Sequence, residues 1–283
     1  MQLDHAVVNT QYALDRAQTA FEALGFHLTD RGYHSLGSIN HLMMFTTDYL
    51  ELIGLPDKPA QAGEPLPTRA GVSDAPLGIN GLVFKTDSAD AMFEHLQRIG
   101  MAGNPPKSFS RPVALAGEAQ TRDASFRTVH VRPDCFPAGR VYFCEHYTPD
   151  LVWRPEWQSH ANAAKSIAAI VLVAQEAQQQ ANAFASLLST TVESVNDDEF
   201  QINCDGFAIT VMSPSVYEQQ YGSVAQDTGR EGSFFGALKI RTTDPSAVQH
   251  AANKLGYPVH ISGANHTLVL QPEFDSVLEF VTV

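Results

Sequence analysis

Two side chains stand out because their types can do chemistry and their surroundings should not tolerate them. His5 lies in Leu3-Asp4-His5-Ala6-Val7-Val8, and Glu51 lies in Tyr49-Leu50-Glu51-Leu52-Ile53. Side chains alternate along a strand, so His5 is expected to share a side with Leu3 and Val7, and Glu51 with Tyr49 and Ile53. An imidazole and a carboxylate therefore interrupt apolar faces, where an unpaired charge is costly, and something must satisfy them. Glu145 and His146 are neighbours in Val141-Tyr142-Phe143-Cys144-Glu145-His146, so a regular strand turns only one of them toward a cavity. His41 and His130 sit in further apolar runs and reach a cleft if their register points them inward. Arg127 and Arg132 flank His130 and could neutralise an acidic substrate, or simply be solvated. Trp153, Arg154, Pro155 and Trp157 form an aromatic and cationic cluster. Arg154 there either clamps a substrate carboxylate with paired hydrogen bonds or stacks on a tryptophan in a packed connector, and the connector is favoured.

The elements that must position these residues repeat four times. Apolar strands at Leu3–Thr10, Ile79–Thr86, Ile167–Val173 and Gly236–Thr242 are each followed by a helical run, at Ala13–Leu24, Ala89–Ile99, Glu176–Leu188 and Pro245–Leu255. The helices carry apolar residues at helical spacing, as at Leu14, Ala17, Phe21 and Leu24. Asp87 or Ser88 can cap the second helix, and Asp244 before Pro245 the fourth. Gly25, Gly100 and Gly256 stand where a helix stop needs a positive φ. Short β-like runs follow each helix and close at Tyr49–Ile53, Val141–His146, Phe207–Met212 and Val277–Val281. The unit is strand, helix, then about three strands. Pro56 to Pro76 reads as the longest linker, Gln158 to Lys165 as the domain boundary, and Pro214 to Gly232 as the link between the last two units. Met43, Met44 and Phe45 read as core or pocket wall.

A βαβββ unit in two or four copies resembles the vicinal oxygen chelate superfamily, which includes glyoxalase I, extradiol dioxygenases, fosfomycin-resistance enzymes and bleomycin-binding proteins. Leu3–Val8 and Tyr49–Gly54, with Gly37 and Asn40 between them, are similar to the glyoxalase-like domain subgroup. So is the stretch from Phe143-Cys144-Glu145-His146 through Val152–Trp157 to His160–Ala164, although several members carry Gln where Glu145 stands. The resemblance covers residues 1–165 by motif and the remainder by architecture. It implies an α+β fold of four βαβββ modules paired into two glyoxalase-like half-barrel domains, 1–155 and 166–283.

For the site, the resemblance implies metal ligands at His5, Glu51 and Glu145, with Glu51 or Glu145 as the group that moves a proton. Gly81 falls where the second unit's first-strand ligand belongs and offers nothing, so Asn40, His41, His130 and His146 are the candidates to complete the site. Arg127 and Arg154 are the candidates to bind substrate. One imidazole and two carboxylates suit a divalent ion such as Zn, Ni, Co, Mn or Fe. The third and fourth units offer Ala169, Ala237 and Glu279 at the matching places and are expected to be structural. The implied function is metal-dependent lyase or isomerase chemistry on a small oxygenated metabolite. The alternative is a metal-free, bleomycin-resistance-like binding protein, which the glycine at position 81 favours. A ring-cleaving dioxygenase is disfavoured, because the later half lacks the two histidines and one glutamate those relatives place there.

Composition bounds the rest. The chain has 283 residues, 44% hydrophobic and 17% charged, which suits two packed domains and excludes disorder. Eighteen Lys and Arg against 31 Asp and Glu give a formal charge of −13, so nucleic acid and anionic membranes are not expected partners. Cys135, Cys144 and Cys204 contain no Cys-x-x-Cys pair, which argues against a disulfide framework or thiolate zinc site. No signal-like start or spanning apolar run is read, so a cytoplasmic protein is expected. Four units that can pair within one chain, and relatives that exchange units, imply a monomer or homodimer. No dinucleotide, P-loop, zincin or serine-hydrolase motif occurs.

Overall fold

In the computed structural model, all residues are described except 60, 62–63, 116, 118, 226–231, 262–265 and 272–273, and the side chains of 266, 268 and 271. Four strand–helix–three-strand units follow one another. The first is β1 (Leu3–Gln11), α1 (Leu14–Ala23), β2 (Gly32–Tyr33), β3 (Ile39–Met44) and β4 (Tyr49–Gly54). The second is β5 (Gly78–Lys85), α2 (Ala89–Arg98), β6 (Lys107–Val113), β7 (Arg122–His130) and β8 (Arg140–His146). The third is β9 (Ala164–Val173), α3 (Ala177–Leu188), β10 (Glu193–Asn196), β11 (Glu199–Asn203) and β12 (Ala208–Met212). After α4 (Pro214–Tyr221) comes the fourth: β13 (Phe234–Thr242), α5 (Pro245–Leu255), β14 (Val259–Ile261), β15 (His266–Gln271) and β16 (Ser276–Thr282).

The helix punctuation follows the local chemistry. The Ser88 hydroxyl accepts from the Ala91 N–H at 3.2 Å, and Asp244 accepts from Ser246 and Ala247. Gly25, Gly100 and Gly256 all take positive φ where the helices stop.

Two eight-stranded sheets result, ordered β2-β3-β4-β1-β5-β8-β7-β6 and β10-β11-β12-β9-β13-β16-β15-β14. Within each unit the first and last strands run parallel, and paired units meet through antiparallel first strands, β1 with β5 and β9 with β13. The fold is α+β, with two half-barrel sheets. Helix-side faces of both sheets merge in one core, where Phe136 lies 4.1 Å from Phe184 and Phe26 lies 6.1 Å from Phe280 between ring centroids. Each sheet keeps a separate concave face with its own core. The halves are also pinned by the Asp48 carboxylate, which accepts from the Ile167 N–H at 2.8 Å.

Two segments expected to be linkers do more than connect. The described part of Pro56 to Pro76 is tied over the first concave face: the Asn9 side chain donates to the carbonyls of Val72, Ala75 and Pro76, Tyr12 donates to Pro67, and Val72 is fully buried. The segment from Pro214 begins with helix α4, which buries Tyr217 and Tyr221 against the second concave face. Residues 226–231 of that expected link lie outside the described ones.

Candidate functional site

An irregularity at the start of β1 helps to build the site. The β1–β5 register slips between Leu3 and His5, a β-bulge. Leu3 consequently packs under α1 with Ala6 and Val8, not beside Val7 on the concave side as expected. Asp4 and His5 are both buried, and both engage β8.

Asp4 is clamped between two imidazoles: His5 Nδ1 lies 2.6 Å from its Oδ1 and His146 Nε2 lies 2.8 Å from its Oδ2. Burial works to raise its pKa, but the two histidines outweigh burial and hold it well below the usual carboxylate range. With His5 Nδ1 engaged by Asp4, Nε2 is the ring nitrogen that faces the cavity. Tyr49 stacks on the imidazole at 4.3 Å and fixes the ring plane.

Glu51 arrives from β4. Its Oε1 accepts from Asn40 Nδ2 at 2.6 Å, and its Oε2 lies 3.5 Å from His5 Nε2. Burial pushes its pKa up, but His5, His34 and the Asn40 bond outweigh this and leave the pKa below the ordinary value. The Tyr142 hydroxyl lies 3.4 Å from the same His5 nitrogen. These groups line a cavity of about 50 Å³ on the concave face, with His34, His130 and three arginines, Arg69, Arg111 and Arg140. Burial dominates in pushing the His34 and His130 pKa values down to about 4, so both are neutral near pH 7. His34 is tied to Ser38 and Asn40. His130 stacks on Tyr142 at 4.5 Å, and no side-chain hydrogen bond ties it among the described residues.

The structure brings His5, Glu51, Asn40 and His130 to one cavity and places the other expected site residues elsewhere. Glu145 faces away: its Oε2 accepts from the Ala89 N–H at 2.9 Å and satisfies the start of α2. Arg127 sits opposite Glu145 in the β7–β8 register, on that same outer face, and forms a paired bridge to Asp90 of α2 at 2.5 and 2.7 Å. Arg154 pairs with Glu156 on the surface, while Lys85 rather than an arginine covers the Trp153 ring. His41 turns to the helix side and bonds the Thr29 carbonyl. His146 lies behind His5, against Asp4, with its Nδ1 buried and unpaired. Gly81 faces Val7, and a Cβ there would lie 2.8 Å from the Val7 Cβ, so Val7 fills the space a ligand would need.

Sequence reasoning missed Asp4, Tyr142, His34 and all three cavity arginines. Asp4 and Tyr142 left a signal as polar groups in apolar strands. Arg69 left none, because it belongs to the segment read as a linker. Gly71, at φ +76°, lets that segment settle on Arg140, whose Cδ would lie 2.8 Å from any Cβ there.

The glyoxalase-like domain family profile matches residues 3–188. The chain belongs to the glyoxalase-like domain family. With it, the protein is a member of the vicinal oxygen chelate superfamily. No curated protein matches its sequence. Among solved structures, this glyoxalase-like protein is similar to a hypothetical protein from Staphylococcus aureus, with a TM-score of 0.67 and 12% identity over 100% of this chain and 99% of that one. It is also similar to a triple mutant of 4-hydroxymandelate synthase from Streptomyces coelicolor, with a TM-score of 0.56 and 12% identity over 99% and 92%. A third is a fusion of a xylose isomerase-like TIM barrel with 4-hydroxyphenylpyruvate dioxygenase, with a TM-score of 0.57 and 12% identity over 99% of this chain and 49% of that one. At this identity the likeness concerns the fold. No described helix is long and apolar enough to cross a membrane.

Among the described residues, two groups of side chains carry the donor chemistry of a divalent metal. Asp4, Cys144 and His146 offer ligand atoms within 4.8 Å of one another. There, however, both Asp4 oxygens already receive imidazole hydrogen bonds, and burial drives the Cys144 thiol pKa well up, which keeps it protonated. The second group, His5 Nε2 and Glu51 Oε2 with the Tyr142 hydroxyl beside them, fits better, although burial pushes the Tyr142 pKa up and keeps that hydroxyl protonated. Its separations of 3.5 and 3.4 Å are long for hydrogen bonds. The 3.5 Å between His5 and Glu51 is close to the edge of a tetrahedron with bonds near 2.1 Å, which is about 3.4 Å. Both main donors also have the outer support that metal ligands carry, Asp4 behind His5 and Asn40 behind Glu51.

Proposed function

We propose that the first half-barrel is the active centre of a metal-dependent enzyme of the lyase or isomerase type, acting on a small oxygenated molecule. The observation that carries this reading is the convergence of His5 Nε2 and Glu51 Oε2 at 3.5 Å, each oriented from behind by its own buried partner. His5 and Glu51 are the residues that would hold a divalent ion, which when bound would withdraw charge from a substrate oxygen, with the protonated Tyr142 hydroxyl beside them.

The remaining roles belong to the chain itself. Asp4 keeps His5 Nε2 aimed at the cavity, and Asn40 keeps one Glu51 oxygen from turning away. His130, neutral near pH 7 and unanchored, is the group that takes or returns a proton at the substrate. The segment around Val72 covers the cavity and limits water. The second half-barrel has a structural role.

Elemental analysis of the purified protein tests the reading: about one equivalent of a divalent metal is expected, and His5→Ala and Glu51→Ala are each expected to lose it. Equal content in the parent and both variants would remove the proposal. The filled space at Gly81 favours a second reading, metal-free ligand binding. That reading predicts ligand-dependent thermal stabilisation that chelator leaves unchanged.

A further inference from the structure

We infer that Arg69, Arg111 and Arg140 form an anion subsite, and that the molecule held beside His5 and Glu51 is a small organic acid whose anionic group rests on these guanidiniums. The inference deepens the reading above and relies on it for the cavity in use.

The charges in the cavity do not balance. Among its described lining residues, three arginines stand against one carboxylate, Glu51. Arg111 is only 5% exposed, and its Nη2 is buried without a partner, as is Nε of Arg140. Arg140 is otherwise held by one long bond to Asn80 at 3.3 Å, and Arg69 donates to the Ser38 hydroxyl, a neutral group. Burial presses the pKa values of Arg69 and Arg111 down, and Arg140 adds its repulsion at Arg69.

Guanidinium groups with buried idle donors and one carboxylate among three of them are unfavourable unless an anion completes them. The arginines come from three separate places, the covering segment, β6 and β8, in a chain whose formal charge is −13. General cationic character therefore does not account for the cluster. Its planar donors suit carboxylate or phosphate oxygens. At about 10–15 Å³ per water-sized group, a cavity of about 50 Å³ takes a molecule of a few heavy atoms.

The test is calorimetric titration with pyruvate, its methyl ester and inorganic phosphate, before and after chelator treatment, with metal content measured in every sample. The parent is expected to bind pyruvate or phosphate at millimolar concentration and not the ester. Binding of pyruvate marks a carboxylate ligand, and binding of phosphate alone marks a phosphorylated one. Arg69→Gln and Arg111→Gln are each expected to weaken anion binding about tenfold or more. Arg111→Gln is also expected to melt above the parent when no anion is present, because it relieves repulsion, which separates lost function from lost folding. Equal affinity for ester and acid, no binding of either anion by the parent, or unchanged anion affinity in both arginine variants would overturn the subsite. Anion binding in a protein that never holds metal would sink the metal reading and leave the subsite standing. Retained metal without anion binding would do the reverse.

Discussion

The two half-barrels share a register and differ in what fills their concave faces. Val7 pairs with Glu51 on one side and Gly81 on the other, and Val171 likewise pairs with Thr210 and Ala237. In that frame His5, Glu51 and Tyr142 correspond to Ala169, Thr210 and Glu279. The first concave face keeps a polar cavity. On the second, α4 buries Tyr217 and Tyr221, with Tyr217 donating to the Gly236 carbonyl and Tyr221 to Glu279, which also pairs with Lys239. The acid there is spent on neighbours from its own chain. One scaffold therefore supports a site where its concave face lacks an internal plug and a buttress where it has one.

The largest effect should come from removing the plug. Tyr217→Ala is expected to lose about 3–5 kcal/mol in denaturant unfolding, as large aromatic truncations in cores do, with metal content of the folded protein unchanged. A small cost, or loss of metal, would mean that the two faces are not independent.

Next is the pin between the halves. Burial raises the Asp48 pKa from 3.8 to about 6, against the hydrogen bonds from Ile167 and Thr47. The folded state thus holds a proton that the unfolded state has released, so this contribution is present below about pH 4 and is lost as pH rises toward 6. A shift near two units corresponds to roughly 3 kcal/mol, and Asp48→Asn should remove that pH dependence from stability curves. Identical pH profiles in parent and variant would contradict it.

The difference at Gly81 gives a smaller effect. Gly81→Ala forces a methyl against Val7 and is expected to cost about 1–3 kcal/mol, whereas the matching place in the second half already holds a buried alanine, Ala237. An unfolding midpoint equal to that of the parent would break the correspondence.

The fold was legible because each unit repeats the same physics: an apolar strand, an amphipathic helix with a cap and a glycine stop, and short strands. His5 and Glu51 were legible as polar groups that alternation buries. The same alternation set Glu145 and His146 on opposite faces, but neither lines the cavity. The family pattern pointed to Glu145, whereas the open N–H groups of α2 claim it. Asp4 stood out as a polar group in an apolar strand, but the bulge beside it is announced by no spacing of residues. Arg69 and α4 were hidden because segments rich in Pro, Gly and polar residues read as connectors, and only tertiary packing gives them a face to cover.

The most direct measurement of the central claim is metal stoichiometry in parent, His5→Ala, Glu51→Ala, Cys144→Ser and Glu145→Gln proteins, each verified as folded. A site built on the first two residues predicts about one equivalent in the parent, Cys144→Ser and Glu145→Gln proteins, and loss in His5→Ala and Glu51→Ala. Retention in both of those variants, or loss on changing Cys144 or Glu145 instead, would contradict it.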